Sequence, residues 1–206
     1  MAVDRDATLA WMRKFADEMS EHRAELVRLD TAIGDGDHGT NMDRGMRAAL
    51  AKLDATEAEN PGAVLKTAAM VLVSKVGGAA GPLYGTLFLQ LGTAMGDRSE
   101  IDSAGWAQAW RKGLEGVRAR GKAEPGDKTM VDALMPAVEA LERAPDLDGG
   151  LDDAVEAAER GMHATVPLVA RKGRASYLGE RSKDHQDPGA TSTYYLFKSA
   201  AETLAD

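Results

Sequence analysis

The chain has 206 residues, 44% of them hydrophobic and 28% charged, which is ordinary globular usage and enough for one large domain with a sizeable core. It contains no cysteine, so disulfides, thiolate zinc sites and cysteine nucleophiles are excluded together. A net charge of -8 argues against nucleic acid as a partner, since phosphate backbones are held chiefly by clustered Lys and Arg.

The N-terminal stretch MAVDRDATLAWMRKFADEM carries acids and arginines where a signal peptide needs a basic end and then an apolar run. No later stretch approaches the roughly 18 apolar residues of a membrane helix, so no membrane association is expected and the cytoplasm is the expected location. Leu9, Met12, Phe15, Ala16 and Met19 recur at helical spacing, with Arg13, Lys14, Asp17, Glu18 and Glu21 on the other face. They predict a first helix of about six turns. A second is predicted over 42–53. Asn60, a good N-cap, and Pro61 in the first turn start a third, which runs through AVLKTAAMVLVSKV to Gly77-Gly78. The mostly apolar LYGTLFLQLGTAM follows as a buried helix. Asp102 or Ser103 caps the next, AGWAQAWRKGLEGVRARG, whose Trp106 and Trp110 lie one turn apart and read as core. TMVDALMPAVEALERA and LDDAVEAAERGMHATVPLVA continue the series, with Pro136 and Pro167 as kinks or late breaks. The last helix, ATSTYYLFKSAAETLA, starts at Gly189 or Ala190. Roughly eight helices and no period-two alternation define an all-α class. With no linker and no internal repeat, one domain over 1–206 is expected.

Loops 29–41, 77–85, 121–129 and 173–191 hold more glycine and polar residues than a turn needs. They follow alternate helices, and if neighbouring helices run antiparallel they share one end of the bundle. Four such loops at one rim describe a site.

The first loop, within DTAIGDGDHGTNMDR, crowds Asp30, Asp35 and Asp37 among Gly34, Gly36 and Gly39. Carboxylates are hard oxygen ligands, and their mutual repulsion is relieved by a divalent cation. A calcium EF-hand fails, because the twelfth position counted from Asp35 is Met46 and from Asp30 is Asn41, where a glutamate is required. Magnesium, which takes one or two carboxylates and completes its shell with water and phosphate, suits the loop better. A lone D-G-D is also common turn chemistry. Asp43 falls on the following helix and reads as a cap or surface charge.

The other loops add weight. GGAAGPLYG stands directly before a helix whose first N–H groups can hold an anion. GVRARGKA matches G-x-x-x-x-G-K but ends in Ala123 where Ser or Thr should bind Mg²⁺, and no strand precedes it, so the match is chance. GDKTM lines a site or starts a helix with Asp127 or Thr129 as cap.

In order and spacing, LDTAIGDGDHGTNMDRG, GGAAGPLYG, GDKTMVDAL and GRASYLGERSKDHQDPGATST resemble the nucleotide-binding subunit L of dihydroxyacetone (glycerone) kinase, over nearly the whole chain. The resemblance implies a barrel of eight antiparallel helices whose rim loops hold ADP or ATP through two Mg²⁺ ions. It implies that Asp30, Asp35 and Asp37 hold the metals and that His38, Gly39, Thr40 and Asn41 touch the nucleotide beside them. Ala79, Ala80 and Gly81 match a phosphate-contacting turn, in which many relatives carry a serine. Gly121 and Met130 match positions that frame the adenine, Arg174 an arginine near the phosphates, and Asp187, Pro188 and Gly189 the cap over the nucleotide. Asp184 departs from the relatives' glycine before the histidine. His38 reads as a packing or supporting residue, His22, His163 and His185 have no assigned role, and no residue is assigned covalent catalysis.

The implied activity is phosphoryl transfer, which needs positioned cations and N–H groups more than covalent chemistry. ADP stays bound, a phosphotransferase-system phosphoprotein (subunit M) recharges it, and the γ-phosphoryl passes to dihydroxyacetone held on a separate subunit K. A homodimer is compatible with this. Two alternatives remain open: a subunit that exchanges free ATP and acts on dihydroxyacetone or another short sugar, and a noncatalytic nucleotide-binding regulatory module.

Overall fold

The structure, a computed structural model, describes residues 2–205. Nine α-helices form among them: α1 (Arg5–Glu21), α2 (Arg23–Ile33), α3 (His38–Asp54), α4 (Pro61–Lys75), α5 (Ala80–Met95), α6 (Ser103–Gly121), α7 (Val131–Arg143), α8 (Leu147–Ala164) and α9 (Pro188–Leu204). A 3-10 segment, Arg174–Ser182, lies between α8 and α9. Helices adjacent in sequence pack against one another from α3 through α9, and α1 packs on α9, so the last helix closes against the first. The fold is all-α, as the periodicity leads one to expect, and its closure is that of the barrel the resemblance implies.

The caps follow the expected chemistry. Asn60 Oδ1 accepts from the Ala63 N–H at 2.8 Å, and Asp102 Oδ1 from the Gly105 N–H at 2.8 Å. Such a cap satisfies one of the donors that a helix start leaves free. Trp11, Trp106 and Trp110 meet at the barrel's centre with ring centroids 5.3–6.0 Å apart, and Phe197 stacks on Trp110 at 4.4 Å. Trp11 donates its indole N–H to the Leu196 carbonyl, tying α1 to α9.

Four details differ from the sequence expectation. The first helix breaks at His22 (φ -91°, ψ 10°), and the continuation is α2. His22 there stacks on Tyr195 of α9 at 4.1 Å, a tertiary contact, and lies 3.4 Å from Glu18 and 3.3 Å from Glu25, its neighbours along the chain. The first loop consequently shrinks, because Asp30 belongs to the last turn of α2 and 38–41 to the first turn of α3. Pro136 sits within α7, whereas Pro167 lies beyond the end of α8. Val3–Asp4 pairs antiparallel with Glu100–Ile101, a two-residue clasp too short to show in a period-two test.

Candidate functional site

A pocket of about 440 Å³ opens at one end of the barrel, a size ordinary for a small-molecule site. All four sequence-selected loops supply its walls.

The acidic wall is built on the α2–α3 connection. Asp30, only 9% exposed, turns its Oδ2 to the backbone N–H groups of Asp37 (2.8 Å) and His38 (3.1 Å) at the start of α3. Those bonds fold the connection back on α2, and Gly36, at φ 75°, makes the tight turn between. A methyl group on Gly34 would overlap Asp30 Oδ1. The result is a cluster in which carboxylate oxygens of Asp30, Asp35 and Asp37 all lie within 4.8 Å of one another. Arg174 Nε stands 3.0 Å from Asp35 Oδ2, compensating part of that charge. Three convergent hard oxygen donors fit a divalent cation such as Mg²⁺, which can also bind phosphate oxygens.

Beside this cluster is the start of α5. Its N-cap residue, Ala79, supplies no side-chain acceptor, so the first-turn N–H groups of Ala80 and Gly81 have no side-chain cap, and Ala79 and Ala80 stand on the pocket wall. Gly78, at φ 65°, turns the chain there, and a Cβ on it would lie 4.0 Å from Asp37 Oδ1. Carboxylates and an uncapped helix start thus adjoin, an arrangement suited to a cation and an anion side by side. One further wall is apolar, with Pro82, Leu83, Val117, Met130 and Val131 beside Gly121.

Beneath the acidic wall runs a hydroxyl network. His38 Nε2 is 2.9 Å from Ser192 Oγ, which is 2.7 Å from Tyr84 OH, itself 3.2 Å from Thr193 Oγ1. Burial pushes the His38 pKa down to about 4 against the opposing pull of Asp30, so the imidazole is neutral near pH 7. It orders the α3 start through hydrogen bonding, not charge.

Asp30, Asp35, Asp37, His38, Ala79, Ala80, Gly121, Met130, Arg174, Asp187, Pro188 and Gly189 all stand on the pocket wall. Gly39, Thr40, Asn41 and Gly81 do not. Gly39 and Gly81 are close-approach positions, where a methyl would overlap the carbonyls of Arg23 and Val76 respectively. Asn41 is buried and accepts from Arg44 at 2.7 Å, while Thr40 points to solvent. Asp43 is neither cap nor surface charge: it is 8% exposed and pairs with Arg47 at 2.7 Å along α3. In the third loop, Asp127 does not cap α7, whereas Thr129 Oγ1 accepts the N–H of Val131, the first residue of α7, at 3.1 Å. Asp127 Oδ2 accepts from the Glu124 N–H, and Asp132 takes the N–H groups of Gly126 and Thr129. Lys128 and Lys172 also line the pocket, and neither was singled out by the sequence.

The family model for the DAK2 domain matches residues 32–202. The chain belongs to the DAK2 domain family. It is 43% identical over 205 residues to the PEP-dependent dihydroxyacetone kinase ADP-binding subunit DhaL of Escherichia coli K12, covering 98% of each chain. It is 47% identical over 203 residues, again covering 98% of each, to the ADP-binding subunit DhaL of PEP-dependent dihydroxyacetone kinase 1 of Listeria innocua. Among solved structures, the native dihydroxyacetone kinase of C. freundii superposes with a TM-score of 0.76 at 25% identity, over 97% of this chain and 35% of that one. This DAK2 domain thus spans about a third of that kinase's length. The same barrel occurs in that kinase's complex with AMP-PNP and Mg²⁺, at a TM-score of 0.75.

Asp187 of this DAK2 domain gives a test of the pocket's electrostatics. It caps α9, accepting from the Ala190 N–H at 2.7 Å, and burial pushes its carboxyl up to about 7. Asp132 and Asp30 push the same way, while the Ala190 N–H and Lys128 oppose them. Since the folded pKa lies above the unfolded one near 4, the protonated form is favoured in the fold, and that advantage is lost as pH rises from about 4 through about 7. Asn caps as well as Asp and carries no charge. In nucleotide-free protein, Asp187→Asn is therefore expected to match wild type near pH 4 and to exceed it by roughly 2–4 kcal/mol at pH 8. Urea titrations at the two pH values measure the difference; a variant equally destabilised at both would show that the charge is not strained.

Proposed function

We propose that the chain is the ADP-binding subunit of a phosphoenolpyruvate-dependent dihydroxyacetone kinase, a phosphotransferase that hands a phosphoryl group from a tightly held nucleotide to dihydroxyacetone on a separate subunit K. A phosphotransferase-system phosphoprotein, subunit M, recharges the nucleotide. The observation that carries this reading is the convergence of Asp30, Asp35 and Asp37 next to the uncapped start of α5, in one pocket with an apolar wall. The full-length similarity to subunits named for ADP binding supports it. No helix among the described residues is long and apolar enough to cross a membrane, and the comparisons lend no support to a homodimer.

In this reading Asp30, Asp35 and Asp37 hold two Mg²⁺ ions, which when bound offset the charge of the diphosphate and of the migrating phosphoryl group. Asp30 fixes the geometry, because its backbone hydrogen bonds leave it little freedom to swing. The first N–H groups of α5 take phosphate oxygens, with Ala79 and Ala80 in place of a hydroxyl, so one fewer hydrogen bond is made, worth about 0.5–1.5 kcal/mol. Gly121 and Met130 frame the adenine. Arg174, paired with Asp35 in the structure, would serve the phosphates, and Asp187, Pro188 and Gly189 would cap the nucleotide. The cluster leaves no nucleophile for a covalent intermediate, so the chain contributes positioning and electrostatics.

Two linked measurements test this. Protein purified without added nucleotide should carry ADP through desalting, detected in the acid-released supernatant. Mixed with phosphorylated M and dihydroxyacetone-loaded K, it should then yield dihydroxyacetone phosphate with no free ATP. Empty protein that exchanges ATP rapidly would move the reading to an ATP-using kinase subunit.

A further inference from the structure

Lys128 stands on the pocket wall in an improbable state. Its backbone is left-handed, at φ 63°, where a side chain bearing Cβ is strained. Only 1% of the residue is exposed, so its ammonium is held out of water, and that burial pushes its pKa down. The ammonium donates to three carbonyls, those of Thr165 at 2.9 Å, Leu168 at 3.0 Å and Val166 at 3.4 Å. An ammonium has three donors, and all are taken. None is left for a ligand, so Lys128 acts through the segment it grips.

That segment begins a strap, 165–187, which carries Lys172, Gly173 and Arg174 to the pocket and returns at Asp187. Much of the strap is a 3-10 segment interrupted by a left-handed Gly179. Its apolar anchorage is slight: Ala170 and Ala175 join Ile33 in a small cluster separate from the main core, with Leu178 against it. Polar ties do the rest. Arg171 donates its N–H to the Asp127 carbonyl at 3.0 Å, Asp184 its N–H to Val166 at 2.8 Å, and Asp187 its N–H to Thr165 Oγ1 at 3.0 Å. Both ends of the strap are therefore fastened to the 165–168 turn, which Lys128 fastens to the loop bearing Met130.

We propose that Lys128 is a positioning residue that sets how long the pocket retains its nucleotide, by locking the strap of Arg174 and Asp187 onto the loop that frames the base. The inference rests on the nucleotide reading above and goes beyond it, since it concerns release rather than contact. Two variants separate the ammonium from the backbone. Lys128→Met keeps the stem and the left-handed strain but removes the donors, whereas Lys128→Gly removes the donors and relieves the strain.

The test follows displacement of a fluorescent ADP analogue with Mg²⁺ by stopped flow, together with amide hydrogen exchange. Both variants should release the analogue at least about tenfold faster, because loosened contacts act mainly on dissociation. The Arg171 and Asp184 amides should exchange faster, while amides of α4 remain as in wild type. An unchanged release rate in folded Lys128→Met, or wild-type retention by Lys128→Gly, would overturn the proposal. Should both variants fail to fold, exchange in the wild type decides: Mg²⁺ and ADP should slow the Arg171 and Asp184 amides, and no slowing counts against the brace. Wild-type protein with no affinity for the analogue would overturn the nucleotide reading itself, and the retention role with it, whatever the strap's exchange in Lys128→Met.

Discussion

Asp35→Ala should abolish magnesium-dependent ADP binding, weakening it by at least about 100-fold, or roughly 2.7 kcal/mol. Asp35 is an exposed member of a triad whose oxygens lie within 4.8 Å of one another, so its loss removes a cation ligand while leaving the hydrogen bonds of Asp30 intact. The loss has a second consequence of opposite sign. Arg174, 3.0 Å from Asp35 in the wild type, is released, and the pocket becomes less negative. Affinity for ADP without metal should therefore stay level or rise slightly. Calorimetry with and without Mg²⁺ reads both effects in one experiment. Unchanged affinity in the presence of Mg²⁺ would remove the metal site from the reading.

The rim position of the site was legible because it depends on local chemistry: glycines, caps and acids at fixed offsets in loops that follow alternate helices. Asn60 and Asp102 announced their helices for the same reason. Lys128 was not legible, because the carbonyls that hold it belong to residues 37–40 positions later, and nothing local marks a lysine as buried. Ser192 and Tyr84 read as ordinary residues on apolar helices until packing joins them to His38. The break at His22 carries no Gly or Pro, and the 3-10 strap has no apolar period of its own to read. Asp43 shows the converse: an acid one turn past a metal-like loop reads as a cap or surface charge, but the fold buries it while its partner Arg47 stays exposed. The resemblance to subunit L named 38–41 as residues touching the nucleotide and Ala79, Ala80 and Gly81 as a phosphate-contacting turn, and the structure divides each group by geometry. His38 faces the pocket; Gly39 and Gly81 let backbones approach.

Gly34→Ala should damage the site without substituting a single proposed ligand. The added methyl would overlap Asp30 Oδ1, and the carboxylate cannot simply rotate away, since Oδ2 accepts from two N–H groups at the start of α3. Moving it leaves those donors unpaired in a largely buried place, at about 1–3 kcal/mol. The same movement separates Asp30 from Asp35 and Asp37. Magnesium-dependent ADP affinity should fall at least about tenfold, and stability by roughly 1–3 kcal/mol in urea. Asp35→Ala, by contrast, should leave stability nearly unchanged, because Asp35 anchors no backbone N–H. The contrast separates two claims: that these acids bind the metal, and that the α2–α3 connection is folded around Asp30 to present them. Wild-type stability with wild-type affinity in Gly34→Ala would refute the second claim while leaving the first standing.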